Sequence, residues 1–432
     1  MNNKKLCIFG LDCATPEFVF DKFKAELPTF NRLMQQGSWG RLVSTTPPIT
    51  VPAWSAMTTG KDPGELGLYG FRNRIGTGYE LASSNNSAVK TERIWDRLNR
   101  LHGTRSIIIG IPQTFPPRIE NGIMISGIMT PSNELDYSWP HSYKSTVERI
   151  SNDYVFDVKN FRKRDTNELR TEINHMTRTR FKLIRHMLET EQWDFMMMVE
   201  IGLDRMQHIF WGNESVLLDY YKLLDTEIAK TIEILPDDTR IMVVSDHGAQ
   251  SMNGGFCIND WLTKHGYLTL KTSPTSVTPF SESLVDWEHT QAWGAGGYYG
   301  RIFLNVQGRE PQGAICENQY QSIRDQIRQK IRDQSSGLKN NVFYPEQIYK
   351  QVNGTAPDML VYFDELNFRS IGSIGHDAVL VAENDDGNDL ANHSQHGIFI
   401  DYNPAWLNDH NQSLGDVQIT DIFTLVLNAF SN

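Results

Sequence analysis

Short apolar runs recur along the chain, and several of them end on a carboxylate or an imidazole. Residues 241–248 read IMVVSDHG, four apolar side chains followed by Ser245, Asp246 and His247. The runs LCIFGLD at 6–12 and WDFMMMVEIG at 193–202 have the same character. Apolar runs of this length, bounded by polar or turn residues, predict buried strands. RSIIIG (105–110), GIMISG (122–127), PDMLVYF (357–363) and HGIFI (396–400) predict more. Between them the spacing turns helical. An amphipathic stretch covers 16–37 and ends at Gly37, and 167–191 sets Leu169, Ile173, Met176 and Phe181 roughly on one stripe. A last helix is expected near 417–430. Strands alternating with helices predict an α/β fold, with a mostly parallel central sheet covered by helices on both faces.

The texture changes from about residue 272. SPTSVTPFSESLVDWEHT (273–290) is loop-like, WGAGGYYGRIFLNVQGREPQG (293–313) is glycine-rich around one strand, and 317–334 reads as a polar helix. The expected organisation is a catalytic core of residues 1–271 and 351–432 with an inserted cap at 272–350. The GAGGYYG run lacks the spacing of a dinucleotide loop.

Charge and cysteine content narrow the function. The net charge of −11 argues against a nucleic-acid polymer as partner, because such binding rests on neutralising phosphates. A small anionic substrate stays compatible, since a bound metal dominates the local field. Cys7, Cys13, Cys257 and Cys316 show no CxxC spacing, so neither a zinc knuckle nor a disulfide framework is expected. No run is long enough to span a membrane, and no cleavage pattern follows the first apolar run. The expected setting is cytoplasmic, without a membrane partner. Oligomeric state leaves no mark on the sequence.

The strand ends share a chemistry. The first delivers Asp12, the strand at 195–201 delivers Asp204 with His208 four residues on, and the strand at 241–245 delivers Asp246 and His247. NHSQHGIFI adds His393 and His396 before another strand. Carboxylates and imidazoles suit zinc or manganese. Singly, each has a plain structural explanation: Asp204 and His208 as an exposed helical pair, Asp12 as a helix cap, Ser-Asp-His as loop polarity. Their recurrence at strand ends favours a metal site. Thr50, in PPITVPAWSAMTTG (47–60), precedes Pro52 and a helical run. It reads equally as an N-cap and as a hydroxyl placed where a helix N-terminus favours a phosphate.

Asp12, TVPAWSAMTTG, DRMQH, SDHG and a late histidine, in this order, resemble the alkaline phosphatase superfamily. The nearest branch is the type I phosphodiesterase/nucleotide pyrophosphatase group, especially its bacterial phosphohydrolase or phosphomutase members. GLDCATPEF, LPTFNRLMQQGSWGRL, TTGKDPGELGLYGFRNR and NVQGREPQG extend the likeness over nearly the whole chain. The resemblance implies two divalent ions, zinc or manganese. One would lie between Asp204, His208 and a late histidine; the other would take Asp12, Asp246, His247 and the Thr50 oxygen. His393 is preferred as the late ligand because it stands four residues before Gly397, with His396 as its rival.

Departures from the family concern the substrate more than the metals. Relatives often have glycine at Cys13 and histidine at Leu66. Nucleotide pyrophosphatases usually carry asparagine at Ala53, so the Val51 backbone N–H is expected to hold the phosphate oxygen instead. The implied enzyme is a two-metal phosphohydrolase acting on a small phosphate ester through a phospho-threonine at Thr50. A diester is favoured, because no Lys or Arg follows Thr50 before Lys61 and Trp54 offers an apolar neighbour to a second substituent. Arg205, beside Asp204, is the group able to supply the charge a monoester needs. Alternatives are a phosphomonoesterase or phosphomutase of the same superfamily, or a catalytically silent binding protein on this fold.

Overall fold

A computed structural model describes residues 4–333, 337–382, 387–405 and 411–431. The chain divides into two compact units, one of residues 1–62, 84–249 and 394–432, the other of residues 63–83 and 250–393.

The first unit is built on a ten-stranded sheet. Its centre is parallel, running Arg240–Val244, Leu6–Leu11, Phe195–Glu200, Ser106–Ile109 and Gly122–Ile125. His396–Tyr402 joins antiparallel between Arg240–Val244 and Ser38–Val43, and Ser138–Trp139 closes the other side antiparallel. The central strands are buried on both faces, as their continuous apolar runs require. Side chains alternate along a strand. Phe9 stacks on Phe181 of the helix Thr166–Thr190, while Gly10 faces Trp54 of the helix Thr50–Thr59. The first strand is thus covered by helices on its two sides, as the α/β pattern predicts. Leu169, Ile173, Met176 and Phe181 are all buried.

The expected helix at 16–37 is broken into a π-helical turn at Glu17–Lys22, a 3-10 turn at Lys24–Glu26 and an α-helix at Pro28–Gln35. Leu27 precedes Pro28 and sits at φ −120, ψ 73. A residue before proline is sterically driven out of the α region, which amphipathic spacing does not register.

The second unit holds a four-stranded antiparallel sheet of Ala292–Ala295, Gly300–Leu304, Met359–Tyr362 and Asn341–Phe343. The glycine-rich run therefore carries parts of two strands, folded back as a hairpin. A three-stranded sheet places Gly254–Cys257 between Phe368–Ile371 and Leu380–Val381. Residues 272–350 lie wholly within this unit. The polar helix runs Tyr320–Asp333, and position 334 of its expected span lies outside the described residues. Among the described residues no helix is long and apolar enough to cross a membrane.

Candidate metal centre

Strand register sets the site. Leu11 pairs with Glu200 and Gly10 with Val244, so three neighbouring strands end at one edge, and the residues just beyond them meet there. That carboxyl edge is where ligands sit in parallel α/β sheets. Asp12 continues the ladder, its N–H donating to the Glu200 carbonyl at 3.0 Å. The chain then turns through Cys13 at φ +69, a left-handed conformation that costs a β-carbon-bearing residue. The turn aims three successive N–H groups inward. Cys13 donates to Asp246 Oδ1 (3.2 Å), Ala14 to Ser245 Oγ (2.8 Å) and Thr15 to the Tyr221 hydroxyl (3.1 Å). The Thr15 hydroxyl donates to Gln207 Oε1 at 2.9 Å, tying the turn to the helix Gly202–Phe210.

Asp12, Thr50, Asp204, His208, Asp246 and His247 are 0–2% exposed. His247 Nε2 lies 3.1 Å from Asp246 Oδ2, 3.6 Å from Asp12 Oδ1 and 3.4 Å from Thr50 Oγ1. Asp12, Asp204 and His247 each offer a ligand atom, all within 4.8 Å of one another. One turn on from Asp204 along the helix Gly202–Phe210, His208 Nε2 is 3.2 Å from Asp204 Oδ1. Burial excludes the exposed helical pair and the plain polar loop as explanations. Nor is Asp12 a cap: the turn at Glu17–Lys22 has Pro16 at its N-cap and no side-chain cap bond.

The electrostatics are those of a cation site. Burial pushes the Asp12 carboxyl well above the usual carboxylate range, and Asp246 beside it pushes further. Burial raises Asp246 too, against the pull of His247. For His247 burial lowers the pKa, but Asp246, Asp12 and Asp204 outweigh it and bring it up to about 9. Asp12 Oδ1 and Asp246 Oδ2 are buried, and among the described residues the one positive group near both is the His247 ring, 3.6 and 3.1 Å away. Buried acceptors without a donor are costly unless something positive meets them. Divalent cations fit this donor set of carboxylates and imidazoles.

Thr50 is the first residue of its helix, with Ile49 at the N-cap and no side-chain cap bond, so its hydroxyl is not used for capping. Val51 follows in the first turn, fully buried. Trp54 is also fully buried, and its indole N–H donates to Asp12 Oδ2 at 2.7 Å. A β-carbon on Gly10 would lie 2.6 Å from the Trp54 ring, so that glycine lets the indole lie against the strand beneath Asp12. The structure thus places Trp54 behind Asp12, with no exposed face. Sequence reasoning missed this bond, as well as the parts of Ser245, Gln207 and Tyr221. Gln207 stood in plain view, three residues after Asp204 and next to His208.

Arg205 is engaged on two sides. Its Nε and Nη2 donate to the two oxygens of Asp157 at 2.9 and 2.6 Å, its Nη1 reaches Asp204 Oδ2, and its guanidinium lies over Phe161. His396, half-buried, stands 3.8 Å from Asp416. Its pKa is lowered by burial and then by Arg41. A β-carbon at Gly248 would lie 2.4 Å from the His396 carbonyl, so the glycine of SDHG seats this strand against the Asp246–His247 turn. His393 is the last residue of the second unit, on the strand Ala391–Ser394. It is 1% exposed, with its ring 4.1 Å from that of Tyr298.

Comparison with known proteins follows the same line. The profile of the type I phosphodiesterase/nucleotide pyrophosphatase family matches residues 6–398. The chain belongs to this family. It is therefore a metal-dependent hydrolase of the phosphoric ester class. Among solved structures it is similar to phosphonoacetate hydrolase from Sinorhizobium meliloti 1021 in complex with phosphonoacetate. The identity there is 15%, covering 99% of this chain and 96% of that one, with a TM-score of 0.67. Human ectonucleotide pyrophosphatase/phosphodiesterase 5 shows 14% identity over 99% of this chain and 95% of that one, with a TM-score of 0.61. An inactive form of the murine protein in complex with AMP gives the same values. At these identities the likeness is one of fold. No curated protein sequence matches the chain significantly.

Proposed function

We propose that the chain cleaves a small phosphodiester by attack of Thr50 on phosphorus. Asp12, Asp204, His208, Asp246, His247 and His393 would hold two divalent ions, zinc or manganese. The observation that carries this reading is the Thr50 hydroxyl at a helix N-terminus, 3.4 Å from His247 and next to the buried carboxylates Asp12 and Asp246, which share that one imidazole. When bound, such ions stabilise charge on the attacking and leaving oxygens and favour the threonine alkoxide.

The chain's own residues supply the rest. Thr50 Oγ gives its proton up to solvent and forms the bond to phosphorus as the ester oxygen leaves with its electron pair. Water later hydrolyses the resulting phospho-threonine ester. The Val51 N–H, at the positive end of the helix, serves a non-bridging phosphate oxygen. Trp54 holds Asp12 in place. Among the late histidines, His393 is preferred: it is buried, of the donor type such ions take, and stands four residues before Gly397. His396 faces Arg41 and Asp416 instead.

The diester reading rests on Arg205. Its guanidinium is held by Asp157 and Asp204, which offsets the charge a monoester would require. In the same reading 272–350 is a cap inserted into the core, and the protein acts in the cytoplasm.

The test compares an aryl phosphodiester with the matching monoester, with zinc and with manganese. Wild type is expected to favour the diester in kcat/KM. Thr50→Ala should lose on the order of 10⁴-fold or more in kcat with metal content intact, and Thr50→Ser should retain a measurable part. A monoester preference that collapses in Arg205→Ala overturns the diester assignment. Phosphate trapped on another residue overturns Thr50.

A further inference from the structure

A second donor set converges inside the second unit. Cys257 ends the strand Gly254–Cys257, Asp260 lies in the first turn of the helix Ile258–Lys264, and His376 belongs to the loop after the strand Phe368–Ile371. Each offers one ligand atom, and the three atoms lie within 4.8 Å of one another. Cys257 is fully buried, while Asp260 and His376 are half-buried, so the cluster has a closed side and a side that water reaches.

The loop that carries His376 is pinned on both sides. Cys257 is registered with Ile371 in the parallel pair, and its N–H donates to the Val379 carbonyl at 2.8 Å. Asp260 accepts the Gly375 N–H at 2.8 Å and, more weakly, the His376 N–H at 3.4 Å. The His376 ring contacts the Ser373 hydroxyl through Nε2 at 3.0 Å. A metal-bound imidazole commonly gives one nitrogen to such a partner and the other to the ion.

Each residue has a plain role. A buried thiol packs as a small apolar group, and Asp260 clamps two loop N–H groups. Those roles leave unexplained why sulfur, carboxylate and imidazole meet at one point.

We propose that Cys257, Asp260 and His376 bind one divalent cation of the borderline-soft class, represented by zinc, separate from the hydrolytic centre. A thiolate among the donors disfavours magnesium, calcium and manganese. Three protein ligands leave a fourth tetrahedral position for water. Binding releases the Cys257 thiol proton to solvent and ties the helix Ile258–Lys264 to the loop at 373–376.

The test uses the full chain, stripped with a chelator and titrated with cobalt(II) as the probe for zinc. A near-ultraviolet thiolate-to-cobalt band should grow, saturate within the three equivalents that this site and the two proposed hydrolytic ions take up, and vanish when excess zinc is added. Cys257→Ser should abolish it, and Cys13→Ser should leave it unchanged. His376→Ala, which alters a half-exposed ring, should weaken cobalt binding about tenfold or more, and it decides the matter if Cys257→Ser fails to fold. Absence of the band, its survival in Cys257→Ser, or unchanged affinity in His376→Ala overturns the site. The signal needs sulfur, which the proposed hydrolytic ligands lack, so this result stands apart from the fate of that assignment.

Discussion

Glu200 and Asp12 are bonded neighbours across the sheet, both fully buried, yet their surroundings differ in kind. Glu200 is compensated on every side. Arg180 Nη1 donates to it at 2.9 Å, the Gly202 N–H at 2.9 Å and the Thr177 hydroxyl at 3.3 Å. Asp12 takes one indole N–H, and among the described residues its other buried oxygen has only the His247 ring, at 3.6 Å, which it shares with Asp246. The first is a closed structural pair that supports the start of the Asp204–His208 helix. The second is a group of acids whose nearest common cation is His247. Burial alone therefore does not mark a site; burial without compensation does.

The sharpest way to break this contrast is to neutralise each acid in turn. Asp246→Asn should lose at least one bound ion per chain by elemental analysis, and nearly all turnover with it. Glu200→Gln should keep the ions but lose about 3–5 kcal/mol of stability, seen as a lower melting temperature, because Arg180 is left buried without its partner. In protein stripped of metal, Asp12→Asn should raise the melting temperature, since it removes a like charge beside Asp246. If Glu200→Gln and stripped Asp12→Asn shift stability in the same direction, the distinction fails.

A smaller effect separates the two late histidines. His393→Ala should weaken metal binding by about tenfold or more in a chelator competition, while His396→Ala changes it little. The reverse ranking makes His396 the ligand.

The smallest effect concerns Asp96, a half-buried carboxylate outside the centre. Burial raises its pKa to about 6, opposed by a hydrogen bond from the Glu120 backbone. Because the folded value lies above the unfolded one, its contribution to stability is complete below pH 4 or so and is lost as pH rises through about 6. Asp96→Asn should therefore gain in melting temperature over wild type as pH rises across that window. A difference that stays flat with pH shows that the carboxyl is effectively solvated.

The amino-acid sequence by itself determined the strands and where they stop. Each central strand is a local apolar run, and Asp12, Asp204, Asp246 and His247 lie at or just past its end, within a few residues of readable signal. A helix N-terminus at Thr50 was legible for the same reason. Tertiary structure alone decided what those groups meet. Trp54 reaches Asp12 across 42 residues, Arg205 reaches Asp157 across 48, and Gly375 reaches Asp260 across 115. The break at Leu27 was written in a single proline that the amphipathic spacing overrode. Periodicity is a property of neighbours along the chain. Hydrogen-bond partners and charge compensation depend on strand order and on which side chain fills the space above a glycine, and these exist only once the sheet has assembled.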